Sequence, residues 1–227
     1  MKISHRLKKL SDLIATYKQG DIVADIGTDH AYLPCFLIQN DIVKHVYACD
    51  VAKGPYQSSK ETIHKYGLEK QITALQGNGL DPILHKHVDM LVLAGMGSYL
   101  ITEILNRHSN YVDSIRTMFF QANANTDHLR SYIANKNWHI VDEQMVKDSG
   151  HIYEIIIVTK YKTKVYTQDD ILFGPILRSN KDPLFIEKWK KQHALYTNIM
   201  QSMSASQPRF QELQDIVQRI EGVLHES

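Results

Sequence analysis

The chain has 227 residues, of which 43% are apolar and 22% are charged, and this suits a globular protein with one full α/β domain and a smaller appendage. No apolar run is long enough to span a bilayer, and the N-terminus lacks the apolar core of a secretion signal. Cys35 and Cys49 have no partners at metal-finger spacing. We therefore expect no disulfide framework, no bound metal, no membrane contact and a cytoplasmic location.

The net charge of +1 conceals an uneven distribution of charge along the chain. Residues 1–20 carry a net charge of +4, residues 21–159 one of −5 and residues 160–227 one of +2. Basic ends on both sides of an acidic centre are compatible with a polyanionic partner. Ordinary solvated surface charge explains the same pattern equally well.

Helices and strands alternate through the first 160 residues. The apolar spacing predicts a basic amphipathic helix over 3–17 and later helices from residue 32 and over 56–66, 99–105 and 126–135. It predicts strands over 21–26, 46–49, 72–76, 90–93 and 118–121. A hairpin of two further strands, over 138–146 and 151–159, is predicted to follow them. Five alternations predict a parallel, doubly wound sheet. A closing hairpin that adds an antiparallel strand is typical of the Rossmann-like class I methyltransferase fold.

The chain changes character after residue 160. Residues 160–170 are polar and predict a linker, and Asp182 followed by Pro183 predicts the start of a helix. Mostly apolar residues then recur at three- and four-residue intervals. The first series is Phe185, Trp189, the polar Gln192, Tyr196, Ile199 and Met203, and the second is Phe210, Leu213, Val217, Ile220 and Leu224. We expect an antiparallel helical hairpin of coiled-coil type. The predicted domains are residues 1–160 and 161–227.

Four predicted strands end in residues that suit a ligand site. Gly27-Thr28-Asp29 follows the first strand, and a glycine there lets the backbone approach a ligand closely. Asp50 ends the second strand, where a carboxylate can accept hydrogen bonds from the two ribose hydroxyls of an adenosine. The third and fourth strands end in Gly77-Asn78-Gly79 and Ala94-Gly95-Met96-Gly97. In open α/β sheets, ligands bind outside these carboxyl ends.

A nicotinamide dinucleotide site is the main alternative for the first turn. It requires Gly-x-Gly-x-x-Gly, so that a pyrophosphate can lie at the helix N-terminus. Asp29 occupies the second glycine position here, and its carboxylate would repel a pyrophosphate. A carboxylate suits a ligand with an amino group and a sulfonium cation. S-adenosylmethionine has both of these groups and no phosphate.

Residues 25–34, with the sequence Asp-Ile-Gly-Thr-Asp-His-Ala-Tyr-Leu-Pro, resemble the signature of the bacterial tRNA (adenine-22-N1)-methyltransferase family, TrmK. Other segments are similar as well, namely Asp50-Val51 with Gly54-Pro55, residues 77–80, residues 94–97 with Leu100-Ile101, residues 121–123, Leu129-Arg130 and residues 153–156. The chain departs from the family at Ser98, where glycine is common. The resemblance covers nearly the whole chain.

The resemblance implies transfer of a methyl group from S-adenosylmethionine to N1 of adenine 22 in tRNA. By motif position it assigns the cofactor to Asp25, Gly27, Asp29, Asp50, Asn78, Gly79, Ala94 and Gly95, and we add the neighbouring Thr28, His30, Val51, Gly77 and Met96 as cofactor candidates. The lone pair of adenine N1 can attack a methyl group without prior loss of a proton, so orientation matters more than a strong base. Asp29 is the candidate catalytic residue, for positioning and for stabilising the cationic product. A role only as a cofactor ligand is the alternative for it.

Two groups of residues are candidates for tRNA binding. His30, Tyr32, Gln121 and Asn123 are candidates for contacting a target adenine that has left its stack. Arg6, Lys9, Lys188, Lys190 and Lys191 are candidates for phosphate contacts. The alternatives are a helix-capping His30, a packing Tyr32 and solvated surface cations. We expect no obligate protein partner.

Two other functions remain open for the sequence. The chain could be a non-catalytic RNA-binding factor that retains a cofactor fold, or a methyltransferase of small molecules. The intact glycines and Asp50 argue against the first, and the basic first helix with the helical appendage argues against the second. The Asp/Asn-Pro-Pro-aromatic segment common in amino-group methyltransferases is absent after the fourth strand, which argues against methylation of adenine N6.

Overall fold

The computed structural model describes residues 1–160 and 165–225. The chain divides into two compact units, residues 1–165 and 166–227. The boundary predicted between residues 160 and 161 lies five residues earlier, next to residues 161–164, which are outside the described part.

The first unit is built on one seven-stranded sheet. Its strands are β1 (Ile22–Ile26), β2 (His45–Asp50), β3 (Ile72–Gln76), β4 (Met90–Met96), β5 (Thr117–Ala122), β6 (His139–Asp148) and β7 (His151–Thr159). The order is β3-β2-β1-β4-β5-β7-β6, with β1 to β5 parallel and β7 antiparallel to both of its neighbours. This confirms the predicted Rossmann-like sheet. The order reverses between β1 and β4, and in such sheets the carboxyl ends of these strands open a ligand crevice.

Helices cover the sheet of the first unit. They are α1 (His5–Thr16), α2 (Tyr32–Gln39), α3 (Lys53–Lys65), α4 (Ser98–Arg107), α5 (Ser109–Val112) and α6 (Thr126–Asn135). Val23, Val92 and Phe119 are fully buried in the core. All six residues of β5 are buried, as expected for a central strand with both faces covered. The short α5 and a 3₁₀ helix at Asp81–Ile83 were not predicted.

Helix α1 is fixed at its first turn. The side chain of Ser4 accepts a hydrogen bond from the backbone N–H of Leu7 (3.3 Å), and this caps the helix. The backbone N–H of Arg6 donates to Oδ2 of Asp148 (3.2 Å), at the end of β6. Because Asp148 belongs to the β6–β7 hairpin, that hairpin holds the first turn of α1 in place. The predicted turn over 147–150 is shorter than expected, since β6 continues through Asp148.

A charged triad is buried beside the hairpin. Arg130 of α6 is completely buried, and its guanidinium donates to Glu143 of β6 (2.7 Å) and to Glu154 of β7 (2.6 Å). Burial alone would lower the pKa of Arg130, but the two carboxylates raise it. The guanidinium of Arg130 therefore stays charged in the folded protein, and its ion pairs with the two glutamates join α6 to the hairpin.

The second unit is helical. Its helices are α7 (Gln168–Phe173), α8 (Pro175–Asn180), α9 (Pro183–Gln201) and α10 (Pro208–His225). The side chain of Asp182 accepts from the backbone N–H of Phe185 (2.9 Å), which confirms the predicted start of α9. The linker prediction is wrong over 168–170, because Thr167 and Asp170 form a capping box that begins α7.

The packing of α9 follows the predicted apolar positions only in its first half. Phe185 and Trp189 are buried, and the ring of Trp189 meets Phe173 of α7 edge to face, with 4.6 Å between centroids. Ile199 is 40% exposed and Met203 lies beyond the end of α9, so the predicted seam is wrong at these two positions. Phe173 of the short helix α7 supplies a partner for both buried aromatic residues of α9 instead. Across both described ranges, no helix combines the length and apolarity needed to cross a bilayer.

Candidate functional site

A cavity of about 340 Å³ lies at the carboxyl ends of β1 and β4. The predicted site residues that line it are Arg6, Asp25, Gly27, Thr28, Asp29, His30, Tyr32, Ala94 and Gly95. Ser4, Leu7 and Leu33 complete the wall and were not predicted. The first turn of α1 therefore forms one side of the cavity, opposite the turn that follows β1.

The turn after β1 adopts left-handed backbone conformations at three positions. Gly27 has a φ of +76°, and Asp29 and Ala31 have φ of +54° and +53° although neither is a glycine. The backbone N–H groups of Gly27 and Thr28 both donate to the carbonyl oxygen of Cys49 (2.9 and 3.1 Å), so the turn folds back over β2. Strained backbone of this kind is stored where a ligand site requires it.

Asp25 presents a buried carboxyl group to the cavity. Asp25 is only 4% exposed, and its Oδ2 accepts a hydrogen bond from the hydroxyl of Thr28 (2.6 Å). Burial raises the pKa of Asp25 to about 6, while the Thr28 hydrogen bond and the nearby charge of Arg6 oppose the rise. A group with this pKa is ionised near neutral pH but pays a desolvation cost, and a cationic ligand would relieve that cost.

Asp29 has a fixed backbone and an open side chain. Its backbone N–H donates to Oδ2 of Asp50 (3.3 Å), and its carbonyl oxygen accepts from the hydroxyl of Ser59 (2.6 Å). The side chain remains 67% exposed, with Nε2 of His30 3.7 Å from a carboxylate oxygen. The carboxylate of Asp29 is thus positioned at the cavity while remaining available to a ligand.

Two amide side chains bind the backbone of Gly95, one at its N–H group and one at its carbonyl oxygen. Its N–H donates to Oε1 of Gln121 (3.1 Å), and its carbonyl oxygen accepts from Nδ2 of Asn123 (2.8 Å). Nε2 of Gln121 donates to Oδ1 of Asn123 (3.1 Å) and closes the ring of hydrogen bonds. Gly95 lies at a register shift of β4 with a φ of +79°. Gln121 and Asn123, predicted to contact the substrate, use these amide groups to position Gly95.

Arg6 joins this network from α1. Its Nη1 donates to Oε1 of Gln121 (2.6 Å), and its guanidinium carbon lies 5.5 Å from the centroid of the Tyr153 ring. The side chain is half-buried on the cavity wall. A cation that reaches this position was not foreseen from the sequence, because helical spacing indicates only the face of α1 on which Arg6 lies.

His30 and Tyr32 form a stacked pair at the rim of the cavity, with ring centroids 5.2 Å apart and 20° between the planes. Tyr32 is 43% exposed. The alternative of a helix-capping His30 is wrong, because Ala31 is the N-cap of α2 and no side chain caps that helix. Both rings are available to a flat ligand.

The remaining cofactor candidates follow β2, β3 and β4 beside the cavity. Oδ1 of Asp50 accepts from the backbone N–H of Ala52 (2.9 Å), and the carbonyl oxygen of Asp50 accepts from the N–H of Gly77 (3.0 Å). Val51, Gly77, Asn78 and Gly79 do not line the 340 Å³ cavity. A methyl group on Gly27 would lie 2.8 Å from Cε of Met96, which places Met96 next to the turn after β1.

The predicted phosphate-binding residues are not brought together in one unit. Lys9 is half-buried on α1 and does not line the cavity. Lys188, Lys190 and Lys191 lie on α9 of the second unit, where Lys191 pairs with Glu187 (2.7 Å) and Lys190 lines a separate cleft of about 480 Å³ with His193 and Glu221. A contribution of these lysines to RNA binding remains a prediction.

The cavity residues fit S-adenosylmethionine. A volume of about 340 Å³ falls within the usual range for small-molecule sites, about 300–1,000 Å³. The carboxylates of Asp25 and Asp29 suit an ammonium group and a sulfonium, whereas the same two groups would repel a pyrophosphate. The left-handed Gly27 and Gly95 leave the backbone open to close approach.

The parallel sheet ends in an antiparallel hairpin, and carboxylates rather than a phosphate-binding loop lie at its switch point. These two features place the chain among the S-adenosylmethionine-dependent methyltransferases. A sequence profile of the TrmK family, tRNA (adenine(22)-N(1))-methyltransferase, matches residues 23–225. The chain belongs to this family, and the resemblance seen in its motifs is confirmed.

Individual relatives are similar over nearly the full length. A Bacillus subtilis (strain 168) protein described as tRNA (adenine(22)-N(1))-methyltransferase is 30% identical over 97% of this chain and 95% of its own. The crystal structure of the B. subtilis m1A22 tRNA methyltransferase TrmK aligns with a TM-score of 0.88 and 27% identity, over 98% of this chain and 99% of that one. The structure of M. capricolum TrmK with S-adenosylhomocysteine aligns with a TM-score of 0.88 and 29% identity, over 98% and 97%.

Proposed function

We propose that this enzyme transfers the methyl group of S-adenosylmethionine to N1 of adenine 22 of tRNA, and that the transfer takes place at the cavity between α1 and the ends of β1 and β4. The cavity supports this proposal because it combines buried and exposed carboxylates with an open glycine backbone on the two strands that flank the switch point. We also propose that the enzyme acts in the cytoplasm, where its RNA substrate is made and used.

The cofactor candidates divide between two parts of this edge of the sheet. Asp25 and Asp29 would take the ammonium group of the methionyl part, since they are the carboxylates on the cavity wall. Asp50 and Asn78, at the ends of β2 and β3, would take the adenosine part, because they follow the neighbouring strands. When bound, S-adenosylmethionine supplies an electrophilic methyl group on a sulfonium.

The chain's own residues would act mainly by orientation. Adenine N1 has an in-plane lone pair and becomes cationic when it is methylated, so the enzyme needs alignment and negative charge near the acceptor. Asp29 provides such a charge on a backbone held by Asp50 and Ser59. The stacked rings of His30 and Tyr32 would contact the unstacked adenine at the rim.

Cations of both units would contact the tRNA backbone. Lys9 on α1 and Lys188, Lys190 and Lys191 on α9 are the candidates. Phosphate contacts release counterions, so the affinity for tRNA should fall as salt is added. An affinity that does not change with salt would rule out this assignment.

The direct test is methyl transfer to total tRNA. The purified protein is incubated with labelled S-adenosylmethionine and tRNA, and the modified base is mapped. We expect 1-methyladenosine at position 22. Binding of the cofactor without transfer to any tRNA would identify a non-catalytic RNA-binding factor instead, and label found only in small molecules would refute the proposed substrate.

A further inference from the structure

The ring of Tyr99 is open to solvent at the carboxyl edge of the sheet. Tyr99 is 63% exposed, more than any other phenylalanine, tyrosine or tryptophan that the structure describes. Tyr32 at the rim of the cavity comes second, at 43%. Tyr32 begins α2 and Tyr99 lies in the first turn of α4, so both rings belong to helices that start where the ligand crevice opens. This position beside the site distinguishes Tyr99 from an ordinary exposed side chain.

Tyr99 lies close to the cavity without lining it. Helix α4 follows β4 with only Gly97 between them. Four residues of chain span at most about 14 Å, so the backbone of Tyr99 lies within that distance of Gly95 in the cavity wall. A methyl group on Gly97 would meet no atom within 4 Å, so the surface along this stretch is open. A ligand that enters the cavity and extends past the end of β4 would therefore reach the ring of Tyr99.

His128 of α6 supports the ring of Tyr99. The two ring centroids are 4.0 Å apart, with 36° between the planes. Nδ1 of His128 is buried and has no hydrogen-bond partner among the described residues, so the contact with Tyr99 is what orients the imidazole. The backbone N–H of Asn123, in the loop before α6, donates to the carbonyl oxygen of Met96 (2.9 Å), and this joins the segments that carry the two rings. A ring that is held in this way loses little freedom when it binds a ligand.

The open face of Tyr99 suits a nucleobase, because proteins bind unstacked RNA bases by stacking them on aromatic side chains. The loop before α6 exposes Asn123 and Asn125, so the ring is not part of the broad apolar surface that a protein partner would need. A target adenine that leaves its stack uncovers the faces of the two bases beside it. We propose that Tyr99, supported by His128, stacks on the base of a nucleotide adjacent to the target adenine of tRNA, an inference that rests on the proposed function.

A double-mutant cycle between the protein and the RNA tests this contact. Intact tRNA is compared with three tRNAs that lack one base, either at position 22 or at the position immediately before or after it. Equilibrium binding to wild-type protein and to Tyr99→Ala is measured with S-adenosylhomocysteine present, so that no methyl group is transferred. We expect Tyr99→Ala to weaken binding of intact tRNA about 5- to 150-fold, the usual effect of losing one stacked base. When the adjacent partner base is missing, the same substitution should change the affinity less than about twofold.

Control variants separate the flat ring from other properties of this surface. Tyr99→Phe keeps the ring and should bind intact tRNA like the wild-type protein. Tyr99→Leu keeps an apolar side chain without a flat face, so it should resemble Tyr99→Ala, and it replaces that variant if thermal unfolding shows that Tyr99→Ala folds poorly. Leu100→Ala removes the adjacent side chain, which is 47% exposed, and should show no coupling with any missing base. His128→Ala should lose part of the coupling, because Tyr99 then lacks its support.

Three outcomes would overturn the proposal. Wild-type affinity of Tyr99→Ala for intact tRNA would show that the ring does not contact the RNA. An equal loss of affinity for all four tRNAs would mean that Tyr99 acts only through the shape of α4. Coupling confined to the missing base at position 22 would assign the ring to the target adenine itself. The proposed function is tested separately, because it fails only if the wild-type protein does not methylate tRNA at adenine 22.

Discussion

The side-chain oxygen of Gln121 accepts a hydrogen bond from the backbone N–H of Gly95 at 3.1 Å, and this bond ties the end of β5 to the irregular end of β4. Gln121 is completely buried, so the bond is shielded from water. The same oxygen accepts from Arg6 of α1. One buried amide thus holds together three elements that form the wall of the cavity.

Replacement of this amide should affect both stability and transfer. In Gln121→Leu the N–H of Gly95 loses its acceptor, and we expect a loss of about 1–3 kcal/mol in the free energy of unfolding. Displacement of Gly95 should lower kcat on the order of 10- to 100-fold. Denaturant unfolding and methylation assays would measure these effects, with the exposed Gln71→Leu as the control. Wild-type kcat in Gln121→Leu would show that the ring of hydrogen bonds does not position the site.

Asp29→Asn tests the proposed role of the Asp29 carboxylate. Asparagine tolerates the left-handed backbone at this position (φ +54°) better than alanine does, so the substitution removes charge without adding strain. We expect kcat to fall on the order of 100-fold, because negative charge near the developing cation is lost. The affinity for S-adenosylmethionine should also fall, but by a smaller factor than kcat, because the carboxylate of Asp25 remains on the cavity wall to bind the ammonium group.

Two measurements decide between the roles of Asp29. Calorimetry gives the affinity for the cofactor, and single-turnover kinetics give the rate of transfer. A large loss of affinity with an unchanged rate at saturating cofactor would make Asp29 a cofactor ligand only. A normal rate and a normal affinity would remove it from the site altogether.

Substitution of Gly27 tests the turn after β1, and substitution of Gly54 serves as its matched control. Gly27 has a φ of +76°, and a methyl group there would lie 2.8 Å from Cε of Met96. Gly54 lies in α3 and has open space around the same position. We expect Gly27→Ala to cost about 1–2 kcal/mol of stability and to weaken cofactor binding, while Gly54→Ala should be neutral or slightly stabilising. Chemical denaturation and calorimetry would show whether the two variants differ in this way.

The positions of the strands could be predicted from the sequence, because most of them are short apolar runs that end at a glycine or an acidic residue. β3 and β7 were predicted at their observed bounds, since Gly77 ends one and a glycine turn precedes the other. The residues of the turn after β1 were also predicted correctly as a cluster, because the carboxyl ends of neighbouring parallel strands must meet.

Contacts between residues far apart in the chain could not be predicted from the sequence. The hydrogen bonds of Arg6 to Gln121 and Asp148 join residues 115 and 142 positions apart, and no local pattern encodes such contacts. Gln121 and Asn123 were expected to contact the substrate, whereas their side chains bind the backbone of Gly95. The sequence could not distinguish these roles, because a polar residue at the end of a strand can face either a ligand or a neighbouring backbone. Ser4 did carry a usable signal, because a serine before an apolar-periodic segment is typical of an N-cap.

The buried triad of Arg130, Glu143 and Glu154 should affect the stability of the protein in a non-additive way. Removal of Arg130 alone should lower the free energy of unfolding more than neutralisation of all three residues does. Arg130→Met would leave Glu143 and Glu154 buried without their cation, and we expect a loss of about 3–5 kcal/mol in the free energy of unfolding. Adding Glu143→Gln and Glu154→Gln to that variant should recover much of the loss, since no buried charge then remains. A triple variant that is less stable than Arg130→Met would contradict this account.

Asp25 should make the stability of the protein depend on pH. Its pKa is raised from 3.8 to about 6 by burial, so the folded state holds the proton more tightly than the unfolded state does. The free energy of unfolding contributed by this group therefore falls as the pH rises from about 4 to about 6 and is constant above that range. A shift of about two units corresponds to about 3 kcal/mol.

Asp25→Asn removes this titration while retaining an oxygen that can accept from Thr28. We expect the stability of the variant relative to the wild-type protein to increase by about 3 kcal/mol between pH 4 and pH 7, measured by urea unfolding without cofactor. The exposed Asp41→Asn variant is the matched control and should show no such increase. A difference between Asp25→Asn and wild type that stays constant over this range would mean that the Asp25 carboxyl is not desolvated in the free protein. The cavity would then have to be filled with water around it, and the advantage of a cationic ligand at this site would be correspondingly small.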